Sequence, residues 1–319
     1  MKYVIDSKPG IIGLAVGDAM GVPLEFFKRE HLINNPVTTM LGEQSHNMPK
    51  GSWSDDTSLN LALIDSINNK KKIDLYDIGQ NFIEWGERGK YTPTGQMFGI
   101  GRTTLRSIAN LEKGILKPEK CGGTSESDNG NGSIMRILPL AYYCYSKQLS
   151  EKEIYETVKN VSSITHGHEI SVMGCFIYVL YGIELLKGKN LDQAYKTIKR
   201  TKYNCYFAED TINRYDRILK NNIKKYELDD IKSSGYVIDT LEATLWVLLN
   251  TKSYNQAIIG AINLGGDADT IGACVGGLAG IHYGFNKINP KWINELLKLD
   301  YIVELCNKFN EILNCGEVK

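Results

Sequence analysis

The sequence predicts an all-α protein. Apolar residues recur at three- and four-residue spacing in segments such as 59–67 and 241–249, which is the spacing of one buried helix face. Residues 170–183 are apolar nearly all round, which indicates a helix in the centre of the core. Alternating apolar and polar runs long enough for strands are scarce.

The predicted helices follow one another along the chain without a Pro/Ser-rich linker. Further helical stripes run through 154–161 and 293–297. A glycine repeat of four residues occurs near the N-terminus, at Gly13, Gly17 and Gly21, and again near the C-terminus, from Gly272 to Gly284. Because glycine inside a helix costs up to about 1 kcal/mol relative to alanine, we expect these two stripes to let two helix backbones touch.

Composition gives no support to several classes of function. The 319 residues carry 37 basic and 37 acidic side chains, so no overall field favours nucleic acid or an anionic membrane. The seven cysteines form no CxxC pair, which favours a reducing compartment over a disulfide framework. The start of the sequence lacks the apolar core of a signal peptide, and the longest uncharged run, 270–286, is shorter than the about 20 residues of a spanning helix. We expect a cytoplasmic protein without a membrane partner.

Two acidic clusters are the strongest chemical signal. Residues 53–57 read WSDDT and residues 265–270 read GGDADT, and each cluster directly precedes a predicted helix. Helix capping explains such residues in part, because Asp, Ser and Thr are preferred N-caps. Each cluster, however, supplies at least three oxygens, and the two together would repel unless cations lay between them. Oxygen ligands alone select Mg²⁺, Mn²⁺ or Ca²⁺, and this many ligands suits a two-metal site.

Four other features are candidates with ordinary alternatives. The turn 129–132, which reads NGNG, leads into a helix predicted near Ser133, where free N–H groups would bind an anion; a simple loop is the alternative. The ordinary alternatives for the other three are a structural histidine for His166, a surface carboxylate for Glu25 and core packing for Tyr236.

Several blocks, taken in order, resemble the ADP-ribosylglycohydrolase family. The resemblance extends from Gly13 to about Gly284. One such block alone is weak evidence, but six in order are specific. The resemblance implies a single compact orthogonal helical domain over residues 1–319 that hydrolyses an ADP-ribosyl bond. The blocks are GDAMG at 17–21 with Glu25, SDDT at 54–57, NGNG at 129–132 with 135–136 and 139–140, TH at 165–166, SGYV at 234–237 with 239–241, and GGDADT at 265–270.

The resemblance also implies roles for particular residues. Two divalent cations, Mg²⁺ or Mn²⁺, would hold ribose hydroxyls and a water at the anomeric carbon, and the family's diphosphate-binding loop falls at 129–132. The family usually has Thr where this chain has Ser54, but the hydroxyl is kept. The implied metal ligands are Ser54, Asp55, Asp56, Asp267, Asp269 and Thr270; the catalytic residues are Asp56, which helps to activate water, and Glu25, as acid, base or gate; the substrate-binding residues are Asn129, Gly130, Asn131, Gly132, His166 and Tyr236.

One departure from the family leaves the acceptor open. Arginine-type members often carry an acid where this chain has Gly99. We expect ADP-ribose as the product and a protein arginine as the acceptor, with serine, a nucleic-acid base and a small molecule as alternatives. Two other classes also stay open: a non-catalytic ADP-ribose-binding or structural protein, which would not need four metal carboxylates, and a nucleotide phosphohydrolase, which usually draws on several histidines.

Overall fold

The computed structural model describes residues 4–315 and confirms the all-α prediction, because that part of the chain contains sixteen α-helices and no strand. Short 3₁₀ turns and isolated β-bridges connect them. The helices are α1 Lys8–Gly21, α2 Arg29–Asn34, α3 Asp55–Lys70, α4 Leu75–Arg88, α5 Arg102–Lys113, α6 Pro139–Ser146, α7 Glu151–Ser162, α8 Glu169–Leu186, α9 Leu191–Ile198, α10 Glu209–Arg214, α11 Asp216–Leu219, α12 Val237–Asn250, α13 Tyr254–Ile262, α14 Ala268–Tyr283, α15 Pro290–Glu295 and α16 Leu299–Asn314.

Helices α1 and α14 touch through their glycines, as the repeat predicts. A Cβ on Gly13 would lie 2.5 Å from the carbonyl oxygen of Gly276, and one on Gly17 would overlap the carbonyl of Gly272. Both Cβ positions would lie closer to a carbonyl oxygen than real Cβ contacts allow, so the close approach of the helices requires glycine at these positions. The contact fixes the end of α1 beside the start of α14, where the second acidic cluster lies.

Helix α8 is the buried central helix that the apolar segment predicts. It packs on α6, α7, α9, α12 and α14. In residues 4–315 it is also the one helix long and apolar enough to cross a membrane, but 89% of its 18 residues are buried in the fold. Its apolar surface is therefore explained by neighbouring helices.

The structure contradicts the prediction that an α-helix begins near Ser133. A 3₁₀ turn, Ile134–Arg136, follows the NGNG turn, and α6 begins only at Pro139. Proline has no N–H and its ring would clash with the carbonyl four residues earlier, so a helix from Ser133 could not continue through Pro139. The turn therefore lacks the helix dipole that was expected to attract an anion.

Candidate functional site

The N-termini of α3 and α14 open into one cavity of about 420 Å³. Asp55 and Asp56 enter it from the first turn of α3, and Asp269 from the first turn of α14. Asp267, the residue before α14, completes the wall with Thr270. The structure thus brings together the two acidic clusters that the sequence keeps more than 200 residues apart.

Among the described residues, the four aspartates of this cavity form no salt bridge, although Arg102 also lines its wall. Burial, reinforced by the neighbouring carboxylates, raises the pKa of Asp55, Asp56 and Asp269 well above the usual range. Asp56 Oδ1 is buried and has no hydrogen-bond partner in the part of the chain that the structure describes. Such an arrangement costs free energy unless protons or cations neutralise it.

Helix capping accounts for only one residue of the first cluster. Ser54 Oγ accepts a hydrogen bond of 3.2 Å from the Asp56 N–H, as an N-cap does, and donates to Asp56 Oδ2 at 3.1 Å. Neither carboxylate is needed as the N-cap of α3, because Ser54 already fills that position. The acids at Asp55 and Asp56 therefore need another explanation.

Asp18 is a buried carboxylate that sequence reasoning did not single out. It lies on α1 behind the cavity and accepts hydrogen bonds from the backbone N–H groups of Ser54 and Thr57, both at 3.0 Å, and from Thr57 Oγ1 at 2.6 Å. Burial raises the pKa of Asp18 to about 6 despite these bonds. An aspartate between two glycines of a buried helix was the available signal, and its function is to hold the start of α3.

Glu25 and His46 form a second group beside Asp269. His46 Nε2 pairs with Glu25 Oε2, and ligand atoms of Glu25, His46 and Asp269 all lie within 4.8 Å of one another. These three side chains could hold a metal ion. His46 was missed because it lies in a loop in which Glu43, Gln44 and Asn47 have positive φ, and such a loop has no periodic pattern.

The other end of the cavity is formed by the glycine turn and His166. Gly130, Asn131, Gly132 and His166 line it. Asn131 Nδ2 donates to Asp267 Oδ2 at 2.8 Å, so the turn touches the acidic cluster directly. Burial, together with the positive charge of Arg136, lowers the pKa of His166 to about 3, so its imidazole is neutral.

Three predicted site residues do not line the cavity. Asn129 Oδ1 accepts bonds from the Ser171 N–H and hydroxyl, so this side chain anchors the turn to α8. Tyr236 is the half-buried N-cap residue of α12, and the hydroxyl of Ser54 is bonded to Asp56. The ligand contacts expected of Asn129, Tyr236 and Ser54 stay predictions.

Gly99 lies on the cavity wall for a steric reason. Its φ is +83°, which favours glycine, and a Cβ there would overlap Asp55 Oδ1. In this chain the position therefore has no room for an acid unless Asp55 moves. The absence of a side chain at Gly99 therefore leaves room for the Asp55 carboxylate.

Comparison with known proteins decides the family. The ADP-ribosylglycohydrolase family model matches residues 8–316. This chain belongs to the ADP-ribosylglycohydrolase family. It is an ADP-ribosyl glycohydrolase, which favours hydrolysis over the binding-protein and phosphohydrolase alternatives.

Individual relatives cover almost the whole chain. It is 30% identical over 306 residues to an ADP-ribosylarginine hydrolase of Serratia proteamaculans, covering 95% of this chain and 78% of the relative. It is 28% identical to an ADP-ribosyl-dinitrogen reductase glycohydrolase of Rhodospirillum rubrum, covering 92% and 90%. A solved structure named an ADP-ribosylglycohydrolase-related protein complex shares the fold, with a TM-score of 0.80 at 24% identity over 98% of this chain and 100% of that one.

Proposed function

We propose that this glycohydrolase releases ADP-ribose from modified protein arginine and that it needs two divalent cations, Mg²⁺ or Mn²⁺, to do so. The observation that carries the proposal is the buried carboxylate cluster, in which Asp56 Oδ1 has no partner. Carboxylates this deeply buried stay ionised at neutral pH only with a counter-charge.

The donor atoms fit hard cations. Asp55, Asp56, Asp267 and Asp269 supply carboxylate oxygens and Thr270 a hydroxyl, and all five line the same cavity. Oxygen-rich sites of this kind select Mg²⁺ or Mn²⁺ over zinc. Ser54 would join them if its hydroxyl turned from Asp56. Bound cations would neutralise these acids and polarise the oxygens of water and ribose.

The chain's own residues would supply the proton transfers. Asp56 would accept a proton from the attacking water through Oδ1, which has no hydrogen-bond partner among the described residues. A leaving guanidine nitrogen must collect a proton. Glu25, which is paired with His46 and lies beside Asp269, would donate that proton.

ADP-ribose would lie along the cavity, with its diphosphate toward the glycine turn. Gly130 and Gly132 leave the space beside His166 free of side chains. The ribose bonded to the acceptor would then reach the carboxylate cluster, and the acceptor would leave past Glu25.

Arginine as the acceptor is supported by the names of the relatives and by the cavity mouth. Phe26, beside Glu25, has a side chain that is 73% exposed and a φ of +68°. Its N–H donates to the Gly266 carbonyl at 2.6 Å, which holds this conformation. A non-glycine residue in the left-handed region costs free energy and often has a functional reason. An exposed ring next to a carboxylate suits a guanidinium, which stacks on aromatic faces and pairs with acids.

The test compares two substrates and two metal states. The protein would be stripped with EDTA and given arginine- and serine-linked ADP-ribosyl peptides, with and without Mg²⁺ or Mn²⁺, while released ADP-ribose is measured. We expect release from the arginine peptide only with metal. Equal release in EDTA would contradict the metal requirement, and a clear serine preference would overturn the acceptor.

The cellular location is also part of the proposal. We place the enzyme in the cytoplasm, because all seven cysteines are free and reduced thiols suit that compartment.

A further inference from the structure

Arg136 is a fully buried cation next to the active-site cavity. Its side chain is 0% exposed, and neither Nε nor Nη1 has a hydrogen-bond partner within residues 4–315. Nη2 donates to Thr165 Oγ1 at 2.9 Å and to the Val161 carbonyl at 3.2 Å, while the guanidinium lies 4.6 Å from the ring centre of Phe82. Burial lowers the pKa of Arg136 to about 10, so it is charged at neutral pH.

The hydroxyl of Thr165 connects this cation to His166. Thr165 is fully buried, and its Oγ1 lies 2.9 Å from His166 Nδ1. An arginine N–H can only donate, so Oγ1 accepts from Arg136 and its own proton needs an acceptor. Among the described residues, Nδ1 of His166 is the acceptor within reach. A buried hydroxyl whose proton has no acceptor would lower the stability of the fold by roughly 1–3 kcal/mol.

The hydrogen bond from Thr165 determines which ring nitrogen of His166 carries the proton. Because Nδ1 accepts the Thr165 proton, the hydrogen of a neutral imidazole resides on Nε2. Nε2 forms no hydrogen bond within the part of the chain that the structure describes, and a Cβ on Gly130 would lie only 3.5 Å from it. The N–H therefore faces the space that the glycine turn leaves open.

We propose that Arg136 and Thr165 are positioning residues that hold His166 in its Nε2–H tautomer, so that it donates a hydrogen bond to a diphosphate or ribose oxygen of ADP-ribose. This inference rests on the proposed placement of ADP-ribose in the cavity. Phosphate oxygens only accept hydrogen bonds, so the opposite tautomer would direct a lone pair at them. The buried cation thus acts through two hydrogen bonds without touching the ligand.

The tautomer can be read without any ligand or turnover. The chain has five histidines, so labelling histidine alone with ¹⁵N gives few signals. The signal that is missing from the His166→Gln spectrum belongs to His166. At pH 7 we expect His166 to show a protonated Nε2 and an unprotonated Nδ1. A protonated Nδ1 in the wild-type protein would overturn the proposal.

Matched variants test the consequence for binding of ADP-ribose, measured by calorimetry. Thr165→Ser keeps the hydroxyl and should bind within about threefold of wild type, whereas Thr165→Val should bind about ten- to a hundredfold more weakly, the range of a lost charge-assisted bond. His166→Gln can place an amide N–H near the Nε2 position and should retain more affinity than His166→Asn. Wild-type affinity in Thr165→Val would overturn the inference.

The two experiments separate this inference from the proposed function. If the wild-type protein failed to bind ADP-ribose, the proposed function would fail while the NMR result stood. If Thr165→Val did not fold, the wild-type tautomer and the His166→Gln and His166→Asn pair would still decide.

Discussion

Thr270 Oγ1 on α14 donates a hydrogen bond to Asp56 Oδ2 on α3 across 3.4 Å, and this contact joins two helix starts that are 214 residues apart in sequence. The glycine contact between α1 and α14 places one of these starts, and Asp18 on α1 holds the other through Ser54 and Thr57. The packing that forms the acidic cluster therefore lowers the stability of the fold, because it requires glycines inside helices and buries carboxylates.

Removing one acid of the cluster should separate stability from activity. Because burial and the other carboxylates raise the pKa of Asp56, Asp56→Asn should raise the melting temperature in EDTA by a few degrees, equivalent to roughly 1–2 kcal/mol. The same variant should lower kcat by about a thousandfold or more, and Asp269→Asn should do likewise. Exposed Asp210→Asn is the control and should change neither quantity. Activity near wild type in Asp56→Asn would contradict its role.

The neutral His166 should be visible in the pH dependence of stability. Its pKa is about 3 in the folded protein, against 6.5 for a free histidine. Below pH 6.5 the unfolded chain takes up a proton that the folded chain refuses, so the free energy of unfolding falls as pH falls from about 6.5 towards 3. The slope from this group reaches at most about 1.4 kcal/mol per pH unit.

Urea unfolding at several pH values measures that slope. His166→Gln should show a shallower loss of stability on acidification, whereas exposed His31→Gln should follow the wild type. An unchanged slope in His166→Gln would show that His166 does not resist protonation in the folded state.

Gly99→Asp tests whether this position lacks an acid or supports the cluster. An aspartate would adopt a φ of +83° and press on Asp55, so we expect arginine release to slow by about tenfold or more and the Mn²⁺ requirement to rise. Gly95→Asp is a matched control, because Gly95 has a φ of +86° with nothing within 4 Å of a Cβ. Faster arginine release in Gly99→Asp would restore the interpretation of a missing catalytic acid.

Phe26→Asn tests the aromatic contact with the acceptor. Asparagine tolerates positive φ, so this change removes the ring while keeping the backbone. We expect KM for arginine-linked peptides to rise about five- to thirtyfold, the range of a cation–π contact of about 1–2 kcal/mol, with the affinity for free ADP-ribose unchanged. Phe285→Asn, at another exposed ring, should alter neither. Equal effects on arginine- and serine-linked peptides would rule out a guanidinium contact.

The sequence predicts those parts of the site that depend on local signals. Acids before a helix and glycines every four residues keep their meaning wherever the helices pack, so the cluster and the α1–α14 contact were predictable. Loop geometry was not. His46 reaches Glu25 through residues of positive φ, and Asn129 turns to Ser171 because the tertiary fold offers its side chain a better partner. Pro139 was the overlooked signal against a helix at Ser133.

The most direct measurement is anomalous diffraction from crystals soaked in Mn²⁺, recorded near the manganese edge. The account predicts two peaks, about 3.5–4 Å apart, each within about 2.5 Å of oxygens from Asp55, Asp56, Asp267 or Asp269. Soaked crystals of Asp56→Asn should lose at least one of them. The absence of any peak at this cluster in crystals of active protein would contradict the central claim that the buried acids are a metal site.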